Sequence, residues 1–281
     1  MPEFATLALP AERSATQRAA PALWRPWRSA VLRKAVLLIA LAALWQGYAS
    51  WLAQPLLLPT FADTLSALWS DLISGVLPQR TAFTLRTLLT GYAIGCVLAG
   101  LVTALAVGTR WGNDLLELLT SMFNPLPAIA LLPLSLLWFG LGSGSLIFVL
   151  VHSVLWPMAL NVHAGFRAVS PTLRMVGRNY GLSGLPLVVR ILVPAAFPAI
   201  LSGLKIGWAF AWRTLIAAEL VFGVSSGSGG LGWFIYENKN QLEIPSVFAG
   251  LLTVIVIGLA VEHLVFRPIE QKTVKRWGMQ L

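Results

Sequence analysis

VGRNYGLSGLPLVVRILVPAAFPAI, residues 176–200, joins two long apolar segments of a chain that is apolar almost throughout. It holds three glycines, three prolines and two arginines, residues that interrupt a helix rather than prolong it. Just upstream, Ser170 followed by Pro171 reads as a helix start, with serine as the cap and proline at the first helical position. Gly181 then stops that helix. Leu173, Val176 and Tyr180 fall along one side, while Arg174 and Arg178, four apart, point together elsewhere. A second short helix is expected from near Ser183 through Pro186 and Arg190, ending before Pro194 because a residue preceding proline avoids helical angles. Pro198 opens the next apolar segment. The pattern predicts a stiff helix, tight turn and helix. Spacing leaves two readings open: an amphipathic hairpin whose arginines bind lipid phosphates, or a docking element for a cytoplasmic partner.

The surroundings place this loop at a membrane. Of 281 residues, 57% are hydrophobic and 11% charged, with a mean hydropathy of +0.76, far from the roughly 25% charged residues of a soluble domain. A span needs about 20 mostly apolar residues, and six candidates emerge: 34–53, 84–108, 115–138, 144–163, 198–222 and 246–266. We therefore expect an all-α integral membrane protein of six transmembrane helices. The first apolar run is too long for a typical signal-peptide core and reads as an uncleaved span. With the amino terminus inside, fifteen of the twenty lysines and arginines fall in inner segments, and only Arg80 and Lys239 in outer loops. Short positive loops stay cytoplasmic, so both termini and the opening stretch are expected there. The organisation is then a basic tail over 1–33, a membrane domain over 34–266 with its cytoplasmic loop at 164–197, and a tail over 267–281. In the outer segment, Leu65, Leu68, Trp69 and Leu72 share a face after Thr60 or Asp63, which predicts a short interfacial helix.

The net charge of +9 does not indicate nucleic acid, because most basic residues flank apolar runs. Cys96 has no partner for an intrachain disulfide. His152, His163 and His263 are scattered and read as packing or interfacial residues, so no metal is expected. The run GSGGLG at 227–232 formally satisfies a dinucleotide fingerprint but follows a membrane span rather than a strand; it reads as a flexible connection leading to a re-entrant or surface segment through Tyr236. The phosphate-binding pattern G-x-x-x-x-G-K-[ST] is missing from the chain, and neither a catalytic triad nor a carboxylate pair stands out. Asp114 and Glu117 read as helix-start carboxylates. In the third span, Asn124, Pro125, Pro127 and Pro133 leave backbone carbonyls without donors, which suits either a packing kink or the lining of a watery cavity.

Gly181, nine residues, then Ile191-Leu192-Val193-Pro194 resembles the cytoplasmic loop motif of binding-protein-dependent ABC importer permeases, written EAA, three residues, Gly, nine residues, I-x-L-P. Met175, Val176 and Gly177 occupy the EAA places, and Val193 replaces the leucine. NPLPAIALLPLSLLWFGLGSGS at 124–145 and AWRTLIAAELVFG at 211–223 resemble the nitrate, sulfonate and taurine branch. The resemblance implies a permease of the bacterial inner membrane, pairing with a second copy. It also implies two cytoplasmic ATPase subunits that bind ATP and Mg, so that this chain carries no cofactor of its own, and an extracytoplasmic protein that delivers solute. Arg174, Arg178, Gly181, Leu182, Ser183, Ile191 and Pro194 would form the ATPase-coupling loop.

Asn124, Arg213 and Glu219 are the candidate pathway residues. Arg213 lies about fifteen residues into the fifth span, roughly 22 Å along its axis, where a guanidinium costs at least about 2.5 kcal/mol unless water, a carboxylate or an anion meets it. It either snorkels outward or pairs with Glu219 of an opposite copy, or it faces the pathway and offers planar donors to an oxyanion. Two other classes stay open: an ion-coupled secondary transporter, which would need intramembrane acids and internal repeats, and a membrane scaffold.

Overall fold

The computed structural model describes residues 30–222 and 229–278, which are helical with no strand among them. Most of the basic tail and the first part of the outer glycine-rich connection lie outside the described residues. In chain order the helices are α1 (Ala30–Leu52), α2 (Phe61–Ile73), α3 (Val76–Gly108), α4 (Arg110–Phe123), α5 (Leu132–Phe139) and α6 (Ser143–Ala168). There follow α7 (Pro171–Asn179), α8 (Gly184–Leu187), α9 (Val193–Ala195), α10 (Phe197–Phe222), α11 (Leu231–Asn240), α12 (Ile244–Val261) and α13 (Arg267–Glu270). Four stretches are long and apolar enough to cross a membrane, and the count reaches six if each of two bent pairs serves as one span.

The bent pairs correct the simpler expectation of straight spans. What hydropathy reads as a third span, 115–138, is a corner: α4 and the stretch Ala128–Phe139 meet at 87°. The break falls at Pro127, which is extended, at φ −59° and ψ 119°, while Asn124 before Pro125 still has helical angles. Pro133, by contrast, falls in the first turn of α5, where a missing N–H costs nothing. The second bend, of 67°, separates residues 188–195 from α10.

α6 is the centre of the fold, packed chiefly against α3 and α10. Small residues permit the approach. Gly91 and Gly95 face Leu150 and Val154 so closely that an added Cβ would stand 2.6 and 2.8 Å from their Cβ atoms, and Ala99 and Thr103 continue the same buried stripe one and two turns on. From α10, Gly203 and Gly207 meet Met158 and Val154. The expected interfacial helix is α2, started by a reciprocal capping box: Asp63 N–H donates to the Thr60 hydroxyl at 3.1 Å and Thr60 N–H to the Asp63 carboxylate at 3.3 Å. α1 is almost wholly exposed along its length. Its ties to the rest include Trp45, whose ring meets Phe61 and Phe248 and whose Nε1–H donates to the Pro59 carbonyl at 3.0 Å.

Candidate functional site

Three places concentrate polar or irregular structure. The first is the loop between α6 and α10. Ser170 caps α7, accepting from Leu173 N–H at 3.3 Å, with Pro171 at the first position. α7 closes on Gly181 at φ +76°, with Gly181 N–H donating to Arg178 O at 2.9 Å and Leu182 N–H to Gly177 O at 3.0 Å. Those two bonds satisfy the last carbonyls of α7 in a Schellman turn, which requires a left-handed residue at position 181. The arm that returns is longer than expected: instead of ending before Pro194 it runs from Gly184 to Ala195. A π turn at Val188–Leu192 makes this possible, because Val193 N–H reaches back five residues to Val188 O just where Pro194 has no N–H to give. The two arms touch at Gly177, where an added Cβ would stand 2.6 Å from Leu187 Cδ1 and 3.2 Å from Ile191 Cγ1. Gly177 and Ile191, two positions of the loop motif, therefore hold the hairpin closed.

Arg174 and Arg178 divide their labour. Arg174 folds back and donates to the Phe166 carbonyl near the end of α6, where a cation also complements the helix dipole. Arg178 stays exposed, as do Ser183 and Pro194, while Leu182 and Ile191 are half-buried. Tyr180 is 83% exposed and Met175 and Val176 are also exposed, so the hairpin tip presents an apolar knob with one free guanidinium beside it.

The second place is a cavity of about 550 Å³ at the α4–α5 corner, bounded by α6 and α10. Asn124 and Arg213 both line it, so the structure brings these two sequence candidates together. Irregular backbone at membrane depth is tolerated where it lines such a space, and the corner at Asn124–Pro127 does so. Pro157, inside α6, lines the same wall and denies Ser153 O its helical donor. Arg213 donates Nε–H to Ala209 O at 3.0 Å, and its guanidinium carbon lies 5.0 Å from the Phe210 ring centre. Sequence reasoning missed His152 and Trp156, which stand one turn apart on α6 and line this cavity. The available signal was a histidine and a tryptophan at i and i+4 in an otherwise apolar helix; reading the scattered histidines as packing or interfacial residues passed over it.

The third place separates Glu219 from that group. Glu219 is 1% exposed and does not line the cavity. Its carboxylate accepts from the Thr84 hydroxyl at 3.0 Å and from Gly232 N–H at 2.8 Å, while Leu231 N–H donates to the Thr84 oxygen at 2.8 Å. Beside them Arg80 bonds Glu237 at 2.9 Å and Gly229 O at 3.1 Å. α3, α10 and the start of α11 are thus pinned at one end of the bundle. The Glu219 carboxylate is enclosed within its own chain and stands apart from Arg213. The second half of the glycine run is also not a slack tether. A Cβ on Gly230 would strike the Glu219 carboxylate, and one on Gly232 would stand 2.6 Å from Ile216 O. Nor does α11 lie on a surface, because Leu231, Phe234 and Ile235 are buried.

Residues 91–267 match the family described as binding-protein-dependent transport system inner membrane component. The chain is 32% identical over 222 residues to the protein of Escherichia coli (strain K12) named aliphatic sulfonates transport permease protein SsuC, covering 78% of this chain and 82% of that one. It is 28% identical over 246 residues to the taurine transport system permease protein TauC of the same strain, covering 85% and 87%. Against the nitrate import permease protein NrtB of Synechocystis sp. (strain ATCC 27184 / PCC 6803 / Kazusa), it is 28% identical over 245 residues, covering 84% and 86%.

Proposed function

The chain belongs to the family of binding-protein-dependent transport system inner membrane components, and from that premise we propose that it is the permease subunit of an ATP-driven importer for a small anion of the sulfonate, taurine or nitrate kind. It crosses the inner membrane six times, each bent pair serving as one span, with both termini and residues 164–197 in the cytoplasm. A second copy completes the pathway, two ATPase subunits supply hydrolysis of Mg-bound ATP, and an extracytoplasmic binding protein delivers the solute.

The observation that carries this reading is the hairpin at 170–195. Its arms are locked at Gly177, its turn is fixed by Gly181, and it is continuous through the 67° bend with α10. A stiff arm with an exposed apolar tip transmits a partner's movement, which a lipid-bound hairpin has no need to do. Arg213 sits on α10 and faces the cavity, so a displacement of the hairpin is passed through the bend to the helix that lines the pathway. The anionic solute is supported by the cavity's charge: its lining holds one guanidinium and no carboxylate among the described residues.

The test is reconstitution of the chain with its co-purifying ATPase and binding protein in proteoliposomes. Uptake of labelled taurine, methanesulfonate or nitrate should require ATP. Uptake driven by an ion gradient without ATP would make the chain a secondary transporter, and correct insertion with no uptake would leave it a scaffold.

A further inference from the structure

The cavity contains polar groups that the protein itself does not satisfy. Trp156 Nε1 and both ring nitrogens of His152 are buried without a hydrogen-bond partner, and both side chains line the cavity. Trp156 is only 8% exposed, and burying a polar group without a partner is unfavourable unless something else occupies the space. Two other polar lining groups are engaged within α6, the Ser153 hydroxyl donating to Leu150 O at 2.8 Å and the Asn161 amide to Pro157 O at 2.7 Å, while Asn124 and Thr214 complete the polar lining. Arg213 spends Nε on Ala209 O, leaving its two terminal nitrogens for a ligand.

The chemistry of these leftovers is weighted toward donors. An indole N–H and a guanidinium only donate, while a neutral imidazole donates from one nitrogen and accepts at the other. Their missing partner is therefore an acceptor, and with a guanidinium among them it is negatively charged. A fork of two parallel N–H groups fits two oxygens of one planar or tetrahedral centre. The volume is within the range of small-ligand sites, and Phe123, Ile206 and Phe210 supply an apolar wall for whatever the head group carries.

Building on the reading of the chain as an anion permease, we propose that this cavity is a resting site for one oxyanion head group, held by the terminal nitrogens of Arg213, the Trp156 indole N–H and the His152 ring. Trp156 and His152 are thus binding residues rather than packing residues. The Trp156 ring also stacks on Phe123 at 5.2 Å, which ties occupancy to the chain corner at residue 124.

The experiment uses the permease with its ATPase partner in nanodiscs, labelled with 5-fluorotryptophan. The fluorine resonance of position 156 is assigned by its loss in Trp156→Phe, which keeps a ring to stack on Phe123. Methanesulfonate or nitrate should move that resonance saturably, while dimethyl sulfone, similar in shape but uncharged, should not. Arg213→Gln should weaken the apparent affinity about tenfold or more, as expected for losing a charge-assisted bond. Trp156→Phe should lower ATP-driven uptake about fivefold or more on the same grounds. A resonance that ignores every anion in a complex that imports one would overturn the site while the permease reading stands. Equal shifts with dimethyl sulfone would also overturn it. Failure of the complex to import any anion with ATP would instead strike the permease reading, and the site with it.

Discussion

Glycine appears at both ends of α10 for opposite reasons. At the hairpin that precedes α10, Gly181 has φ +76° and open space around it. At the clamp, Gly230 has an ordinary φ of −84° but no room, because Glu219 stands against it. One position needs glycine's dihedral freedom, the other its lack of a side chain. The hairpin is therefore held by backbone geometry and leaves its outer surface free for contact. The clamp is held by side-chain packing around a buried carboxylate and has no surface to offer. Under the proposed function, the hairpin is the part expected to move and the clamp the part that braces it.

The largest effect should come from filling the clamp. Gly232→Ala places a Cβ 2.6 Å from Ile216 O and from Glu219 Cβ, forcing α11 off α10 at a cost of about 2–3 kcal/mol. The thermal unfolding midpoint of the purified protein should fall by several degrees; an unchanged midpoint would show that the two helices are not in close approach. Next, Gly181→Val imposes about 1–2 kcal/mol of left-handed strain on the turn. ATP-driven uptake should collapse at least tenfold while the unfolding midpoint moves far less than in Gly232→Ala.

Gly181→Asn separates dihedral from space, since asparagine tolerates the left-handed region. It should recover most uptake, and if it behaves like valine the turn's φ is not what matters. Smaller still is the coupling across the clamp: a double-mutant cycle of Glu219→Gln with Thr84→Val should yield about 1–2 kcal/mol. Additive losses would mean that the hydroxyl and carboxylate do not act together. The least disturbing change is Ser183→Cys in a Cys96→Ala background. Exposed Ser183 should cost under about 0.5 kcal/mol, and an impermeant thiol reagent should reach it only after the cytoplasmic face is opened.

What was legible in the sequence was local. The Ser170 cap, the Gly181 stop and a helix start at Thr60 or Asp63 each depend on residues within a few positions, so their signals are written side by side; that the last two cap each other reciprocally appeared only in the structure. Hydropathy located the spans but not their direction: it averages over a window, so the 87° corner at Asn124–Pro127 reads as part of one apolar run, and its prolines announce a kink without fixing its angle. The end of the second arm was misplaced because a π turn absorbs Pro194, and no local signal marks a change of hydrogen-bond register. The clamp was unreadable, since Thr84 and Gly232 reach Glu219 from opposite sides in sequence, 135 and 13 residues away. The glycines beside it looked like slack because spacing shows what is small and not what presses on it. Of the pathway candidates, Asn124 and Arg213 share a cavity, whereas His152 and Trp156 could be recognised only once their unpaired nitrogens were placed beside them.

Trp45 bears on how the protein is made. Its ring partners are Phe61, sixteen residues on, and Phe248, about two hundred residues on. At the usual synthesis rate of about 5–20 residues per second, α1 waits roughly 10–40 s in the bilayer before α12 exists to receive it. During that interval the tryptophan holds only its own neighbourhood, through Phe61 and the Pro59 carbonyl. α1 is thus made long before the helix that receives its tryptophan, and an apolar helix exposed along most of its length is the kind that can wait in lipid without harm.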